Sequence, residues 1–458
     1  MALPATLCAR FISAVLAGLL LLSGQANAEE DIRDQLARQQ ALIQQLLENQ
    51  ERQAREIEQL KSQLAAQPEI VGSTDDNAIN DSYDVEPEEV DAASEAVAEV
   101  SPANVIPGNG RFSVGGHINR VVNIADDGAN TDAYHLDSGS VPTLSYIKAY
   151  LPVSEDLTVG GHIEYALQHN SASATSQDSS PGFTTSARNF EMTLDSKRLG
   201  KLWFGRGLMS SFAAVDIDKT QTWRYNIIST GNTFGGLKFV DADNGELSEL
   251  KVGSVFIDAE AFNRKDRIRY DSPLFGGFKI SGSYGTADAN DLALRWNGHL
   301  GSLETTAVIT TQNNPVEGRV SDRVDAGIGL YHPGTGLSFA LGAVDQEYKK
   351  SFYQNYGRTD GDNSGYTVRL GLRRNWFSLG ETRMALDYSE AEDVLYKKDD
   401  ARSTGFFVSQ NIEDWSLEPY FGYRFYDYDT GPNADGLSLE NIHIWSLGAR
   451  MALDLTVK

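Results

Sequence analysis

The stretch Trp445-Ser446-Leu447-Gly448-Ala449-Arg450-Met451-Ala452-Leu453 decides the fold class. Its larger apolar residues occupy every second position, and Ser446, Gly448 and Arg450 stand between them. This is the period of a β-strand, whose successive side chains point to opposite faces of a sheet. The pattern indicates a strand that separates an apolar environment from a polar one.

The same alternation recurs from residue 111 to the end of the chain. In residues 366–373, a tyrosine and three aliphatic residues alternate with Thr367, Arg369, Gly371 and Arg373. Turn-forming clusters separate the alternating stretches, which number sixteen. The predicted strands are 112–124, 143–152, 157–169, 186–196, 199–207, 265–272, 276–285, 291–298, 302–311, 323–332, 336–347, 365–374, 379–389, 402–412, 415–428 and 442–455.

The connections between these strands alternate in length. Short ones, such as 154–156 and 333–335, alternate with long ones, of which 208–264 is the longest. An even strand number with short turns at one rim and long loops at the other is typical of outer-membrane barrels. A large sandwich or a propeller is the alternative, although no blade repeat is visible. The sequence therefore predicts an all-β transmembrane barrel of about sixteen antiparallel strands at 111–458, wide enough for a water-filled channel.

The polar strand face is predicted to line this channel, because a cation on the lipid face costs roughly 2–4 kcal/mol at the midplane. Rings of arginine and lysine favour anions in a pore. The alternative is that these cations support folding or pair with Asp216, Asp218 or Asp387 in a non-selective pore. The cations predicted to line the pore and attract anions are Lys148, Arg206, Arg267, Arg269, Arg295, Arg369, Arg373, Arg383, Arg424 and Arg450.

Three segments precede the barrel. Arg10, an apolar run at 11–22 and a small-residue site ending at Ala28 predict a signal peptide at 1–28. Residues 29–66 carry heptad spacing and predict a periplasmic α-helical coiled coil, with a lone amphipathic helix as the alternative. Residues 67–110 hold acidic residues and no Lys or Arg, which predicts a disordered linker. The apolar coiled-coil core positions are Ile32, Leu36, Ile43, Leu46, Ile57, Leu60 and Leu64.

Composition excludes several classes of function. The formal net charge is −25, with 39 basic against 64 acidic residues, which argues against a nucleic-acid partner. The single cysteine, Cys8, removes disulfide frameworks and thiolate metal sites. The seven histidines stand in no recognised catalytic or metal-binding motif. Neither an enzymatic activity nor a cofactor is predicted.

Two stretches resemble a known family. Residues 267–278 (RIRYDSPLFGGF) resemble the strand–turn–strand signature of Gram-negative trimeric porins, and Leu202-Trp203-Phe204-Gly205-Arg206 resembles their preceding strand. The connection 208–264 follows predicted strand five, where the resemblance implies a loop that folds into the pore. Asp216 and Asp218 are the acidic residues expected on this constriction loop.

With its heptad segment, the chain resembles the DcaP-like porins in particular. That resemblance implies a homotrimer in the lipid of the outer membrane that passes small organic anions, above all dicarboxylates. The alternatives are a non-selective or phosphate-type porin, and a structural protein whose coiled coil tethers the membrane to the cell wall.

Overall fold

The structure is a computed structural model that describes residues 110–457 except 216, 226–229, 259–262, 433 and 435. The predicted signal peptide, the predicted coiled coil and Asp216 lie outside the described residues, as does the predicted linker up to residue 109.

Antiparallel strands make up most of the described chain. The strands are β1 (Arg111–Asp126), β2 (Thr131–Asp137), β3 (Leu144–Pro152), β4 (Leu157–His169), β5 (Phe183–Ser196), β6 (Gly200–Leu208), β7 (Lys238–Val240), β8 (Leu247–Lys251), β9 (Arg264–Asp271), β10 (Phe278–Gly285), β11 (Asn290–Leu300), β12 (Leu303–Asn313), β13 (Val320–His332), β14 (Leu337–Tyr348), β15 (Asp362–Phe377), β16 (Gly380–Glu392), β17 (Asp400–Gln410), β18 (Leu417–Asp429) and β19 (Ile442–Val457). The short helices are α1 (Val252–Val255) and α2 (Lys350–Tyr353), with 3₁₀ turns at Thr222–Arg224, Thr230–Asn232, Thr286–Asp288, Gln354–Tyr356 and Glu413–Trp415.

Seventeen of these strands form one sheet that closes on itself. Neighbours in the chain pair antiparallel, and β19 returns to β1 with Val457 opposite Phe112 and Trp445 opposite Ile124. Because β2 and β3 share one position beside β1, the closed barrel has sixteen strand positions. This confirms the predicted fold class, and each predicted strand matches one of the barrel strands. No helix in the described ranges is long and apolar enough to cross a bilayer.

The position beside β1 is interrupted, which the sequence did not predict. β2 pairs with residues 120–126 of β1, and β3 pairs with residues 111–117. The segment 138–143 between them turns to the inner side, where the Asn119 side chain donates to the Val141 carbonyl at 2.8 Å. The sequence predicts a long connection at 125–142 that is rich in Asp, Asn, Gly and Ser, whereas the structure has β2 within it.

The two faces of the barrel differ in chemistry as the alternation predicts. Large apolar side chains remain exposed on the outer face, including Phe204 at 62%, Leu292 at 60% and Leu447 at 66%. The inner face instead carries buried polar and charged residues. The hydrophobic core therefore does not fill the barrel as it would in a soluble protein.

One apolar cluster does lie inside the barrel, toward the rim with the long loops. It forms where residues of the 208–264 connection pack on tyrosines of β18. Phe239 lies 5.8 Å from Tyr428 between ring centroids, and Phe256 lies 5.4 Å from Tyr426. This packing attaches the connection to one side of the barrel.

Candidate functional site

The described part of the connection 208–264 that follows β6 lies along the inner wall. Near its start, Ser210 Oγ donates to Asp291 of β11 at 2.6 Å. Further along, Asp218 lies 3.2 Å from Arg369 of β15, and the Arg224 carbonyl accepts from the Asn119 side chain of β1 at 3.0 Å. The segment from Met209 to Tyr225 therefore follows the wall from β11 round to β1. This is the position expected of a loop that enters the pore.

Glycines on the wall make room for this segment. A Cβ atom added to Gly342 would lie 2.6 Å from Cβ of Val215, and one added to Gly371 would lie 1.7 Å from Cγ2 of Thr220. Both distances are far shorter than ordinary van der Waals contact. Only glycine allows the loop to lie this close to β14 and β15.

Replacing Gly342 by leucine is therefore expected to push the segment around Val215 off the wall and change the single-channel conductance. The measurement is planar-bilayer recording of Gly342→Leu against the unmodified protein. Leu341→Ile, one residue away on the outer face, serves as the control. An unchanged conductance in folded Gly342→Leu would show that this contact does not set the pore size.

Charged side chains of the loop and the wall meet in one buried cluster. Arg369 lies 3.2 Å from Asp218 and 3.3 Å from Asp387, and Arg424 lies 2.9 Å from Asp387. All four side chains are at most 1% exposed. Arg369 and Arg424, which were predicted to attract anions, are thus paired with Asp218 and Asp387. Such pairing is what the alternative of a non-selective pore predicts. The cluster fastens the loop to β15 and β16, and among the described residues its two guanidiniums are matched by two carboxylates.

A second cluster carries excess positive charge. Glu418 lies 2.8 Å from Arg383, 3.3 Å from Arg224 and 3.0 Å from Arg450. Glu381 is shared in the same way by Arg383 at 2.7 Å and Arg373 at 3.0 Å. Four guanidinium groups therefore surround two carboxylates. The side chains of Arg224, Arg373 and Arg450 remain 26%, 20% and 15% exposed, so their charge reaches the lumen.

On the wall formed by β5 and β9, two more of the arginines predicted to line the pore contact carboxylates. Arg267 donates to Glu191 at 2.6 Å, and Arg269 donates to Asp271 at 2.8 Å. Arg269 also donates to the Met209 carbonyl at 3.1 Å, which holds the start of the loop. These arginines therefore position the loop as well as line the wall.

Two predicted cations have no carboxylate within 4.0 Å among the described residues. Lys148 Nζ lies 4.2 Å from the centre of the Tyr146 ring, and Arg295 donates to the Phe212 carbonyl at 3.0 Å. Lys148, Arg267 and Arg269 line a cavity of about 370 Å³ on the inner wall of β3 to β9. Tyr150 and Trp203 contribute aromatic surface to the same cavity.

Arg206 lies elsewhere, which corrects the prediction that it lines the pore. It stands in register with Phe190 of β5 and Asp266 of β9, on the face that carries exposed Phe204. Its Nη1 lies 4.0 Å from Asp266. Alternation from inward-facing Trp203 gives the same placement, because residues an odd number of positions apart in a strand face opposite sides.

Several lumen residues were missed by the sequence analysis. Glu191, Glu381 and Glu418 face inward and accept from the predicted arginines. Strand alternation is the signal that could have identified Glu191, which shares its strand face with Asn189 and Thr193. In the part of the chain that the structure describes, no group of three or more His, Cys, Asp or Glu side chains could hold a metal ion.

Burial also shifts the pKa values of groups on the loop. It lowers the pKa of the Lys219 ammonium, whose Nζ donates to Thr306 at 2.7 Å. It raises the pKa of the Tyr225 phenol, which is stacked on Tyr420 with ring centroids 4.8 Å apart. The phenol therefore stays neutral and acts as a packing and hydrogen-bonding group.

A closed barrel with an apolar outer face, a charged inner face and an inserted loop is the architecture of a transmembrane channel. The family model of Gram-negative porins matches residues 91–450, and the chain belongs to this family. It is therefore an outer-membrane channel through which solutes diffuse passively. No curated protein matched the chain by sequence.

Solved structures share the fold at low sequence identity. The anion-selective porin of Comamonas acidovorans is 15% identical with a TM-score of 0.51, covering 75% of this chain and 100% of its own. OprB of Pseudomonas putida is 10% identical with a TM-score of 0.50, covering 75% and 94%. The outer-membrane channel DcaP of Acinetobacter baumannii is 14% identical with a TM-score of 0.47, covering 75% and 97%.

Proposed function

We propose that this porin prefers small organic anions such as dicarboxylates. The observation that carries the proposal is the group of four guanidiniums around Glu381 and Glu418, whose positive charge exceeds that of its carboxylates. Guanidinium groups match carboxylates in geometry as well as charge. In a narrow lumen with low-dielectric walls, such a local excess governs which ions enter, even though the whole chain is acidic.

Lys148 and Arg295 support the same selectivity. A cation that already contacts a carboxylate contributes little field at a distance, whereas these two have none within 4.0 Å among the described residues. Lys148 of β3 lines the cavity on one wall, and β3 is a sheet neighbour of neither β16 nor β18, which carry Glu381 and Glu418. An anion would therefore meet positive charge on more than one side of the pore.

The alternative is a non-selective pore, and a specific contact favours it. Arg369 and Arg424 are neutralised by Asp218 and Asp387 and are fully buried. Wherever such pairing dominates the narrowest part, the pore would discriminate by size and not by charge. The two functions differ in one quantity, the reversal potential in a salt gradient.

The test is reversal-potential measurement on single channels in a KCl gradient, followed by addition of succinate. An anion-biased reversal potential and transient block by succinate are the expected results. A potential at zero would support the non-selective pore, and a cation bias would contradict the proposal.

Lys148→Glu is expected to move the reversal potential toward cation preference, because it replaces a lumen cation that has no acidic partner within 4.0 Å by a carboxylate. The measurement is the same salt-gradient recording. Lys197→Glu makes the same charge change in the exposed turn between β5 and β6 and is expected to shift the potential much less. Equal shifts in both variants would mean that Lys148 acts only through the overall charge.

We further propose that the barrel assembles as a homotrimer whose coiled coil at 29–66 lies in the periplasm, joined by the acidic linker. The support is the heptad pattern, since a narrow apolar stripe over more than four heptads favours self-association. Deleting residues 29–110 tests this role. The expected result is a weakened oligomer of intact barrels, whereas unchanged oligomers with a weakened envelope would favour a tether to the cell wall.

A further inference from the structure

A groove of about 530 Å³ lies on the outer face of β12 to β15. It includes the short turn between β13, which ends at His332, and β14, which begins at Leu337. Short turns lie on the periplasmic side of outer-membrane barrels, so the groove opens toward the periplasmic leaflet of the membrane. Its apolar lining consists of Leu303, Leu330, Leu337, Phe339 and Leu370.

Aromatic side chains mark the depth of the groove in the membrane. Trp376 and Phe377, at the end of β15, are 55% and 60% exposed. Exposed aromatic rings form girdles at the level of the lipid headgroups. Phe339 and Leu370 stand opposite each other on β14 and β15, further from this rim. The groove therefore extends from the headgroup level into the hydrocarbon.

A cation stands at the headgroup end of the groove. Arg373 points inward to Glu381, so its neighbour Arg374 points to the outer face. The exposed Arg374 donates from Nη2 to the Gly334 carbonyl of the short turn at 3.3 Å, which places its guanidinium at the mouth of the groove. No carboxylate of the described chain lies within 4.0 Å of this guanidinium. Its charge is therefore available to a ligand.

Two polar residues of the short turn line the same end. They are His332 and Thr335, and no carboxylate stands beside them in the described lining. The Thr335 N–H donates to His332 Nδ1 at 3.1 Å, so the neutral imidazole carries its proton on Nε2 and can donate it in a hydrogen bond. The mouth of the groove thus carries hydrogen-bond donors and one positive charge, which suits an anion.

We infer that this groove binds one anionic phospholipid of the periplasmic leaflet. Because the groove extends into the hydrocarbon, its occupant needs an apolar tail as well as an anionic head. An acyl chain packs against the leucines and Phe339, and the phosphate accepts hydrogen bonds from Arg374. A guanidinium matches phosphate oxygens in geometry and charge, and basic residues at a membrane surface attract anionic lipids.

Native mass spectrometry of the full-length protein tests this inference, which does not depend on the proposed anion preference. The detergent-purified protein is mixed with equal amounts of phosphatidylglycerol and phosphatidylcholine. The expected result is one phosphatidylglycerol per chain, retained several-fold more than phosphatidylcholine as the collision energy is raised. Equal retention of the two lipids, or retention of neither, would overturn the inference.

Arg374→Gln is expected to reduce the retention of phosphatidylglycerol several-fold, because it removes the charge at the mouth of the groove. Arg198→Gln is the matched control, since Arg198 is 82% exposed in another short turn at the same rim. Unchanged retention in Arg374→Gln would contradict the inference. An equal loss in both variants would also contradict it, because the rim as a whole would then attract the lipid.

Leu337→Trp tests the apolar part, because it fills the groove and leaves Arg374 in place. Retention of phosphatidylglycerol is expected to fall, whereas Leu202→Trp, on the outer face of β6 near the same rim, should leave it unchanged. Retention that depends on Arg374 but not on Leu337 would overturn the inference, since the lipid would then bind through its head alone. Dissociation of the oligomer in Leu337→Trp with unchanged lipid retention would overturn it too, by making the groove a contact between copies.

Discussion

Replacing Asp387 by alanine is expected to destabilise the barrel by about 3–5 kcal/mol, because it leaves the buried guanidiniums of Arg369 and Arg424 without their shared carboxylate. The Arg369 side chain is 1% exposed and that of Arg424 is fully buried, so water cannot replace the lost partner. Asp218 remains beside Arg369, at 3.2 Å. The measurement is urea unfolding followed by the electrophoretic mobility of folded and unfolded barrel.

Two further variants serve as controls for that result. Asp156→Ala removes an exposed ion pair with Arg198 at 3.5 Å and should change the stability far less than Asp387→Ala does. Asp387→Asn keeps the size of the side chain but not its charge, so it should resemble Asp387→Ala if charge pairing is the cause. A stability loss confined to Asp387→Ala would indicate packing as the cause.

Replacing Asp291 by alanine is expected to release the start of the loop and raise both conductance and current noise. Its carboxylate accepts from Ser210 Oγ at 2.6 Å, from Ser211 N at 2.7 Å and from Ser211 Oγ at 2.6 Å. Hydrogen bonds to a charged group contribute about 1.5–3 kcal/mol each, and the two serines are fully buried. Without Asp291 their hydroxyls lose these acceptors, so the attached conformation is strongly disfavoured.

Planar-bilayer recording and uptake of sugars of graded size into liposomes measure this release. A larger size cutoff together with noisier current is the expected outcome. Asp288→Ala is the matched control, because Asp288 accepts from Tyr284 at 2.5 Å near the same rim but does not contact the loop. If the two variants behave alike, Asp291 does not fasten the loop that limits the pore.

The strand alternation was enough to predict the barrel and most of its lumen face. In β19 and β15 the alternation places Arg450 and Arg369 on the strand face away from the large apolar residues, and in the structure both side chains face inward. It also located the long connection at 208–264, whose residues Ser210, Asp218 and Arg224 contact inward-facing residues of the wall. These features depend on local chemistry, since each side chain must match lipid or water at its own position.

The interruption between β2 and β3 could not be read in the same way. Residues 141–143 are held by Asn119 and His117 of β1, while residues 131–137 pair with residues 120–126 of the same strand. Arg206 shows the opposite error, since strict alternation from Trp203 would have placed it outside. The break between β2 and β3 was missed because it depends on tertiary contacts. Arg206 was misplaced because its charge was given more weight than its position in the strand.

By itself the sequence determined that the chain forms a large antiparallel barrel with an apolar outside and a charged inside, because a two-residue period and turn spacing are local properties. Only the tertiary structure decided which of the lumen arginines carry positive charge that neighbouring carboxylates do not balance. Arg369 and Arg424 are neutralised by Asp218 and Asp387, whereas Arg373, Arg383 and Arg450 share Glu381 and Glu418. The physical reason is that pairing depends on distances of a few ångströms between residues far apart in the chain, which closure of the barrel and the path of the loop bring together.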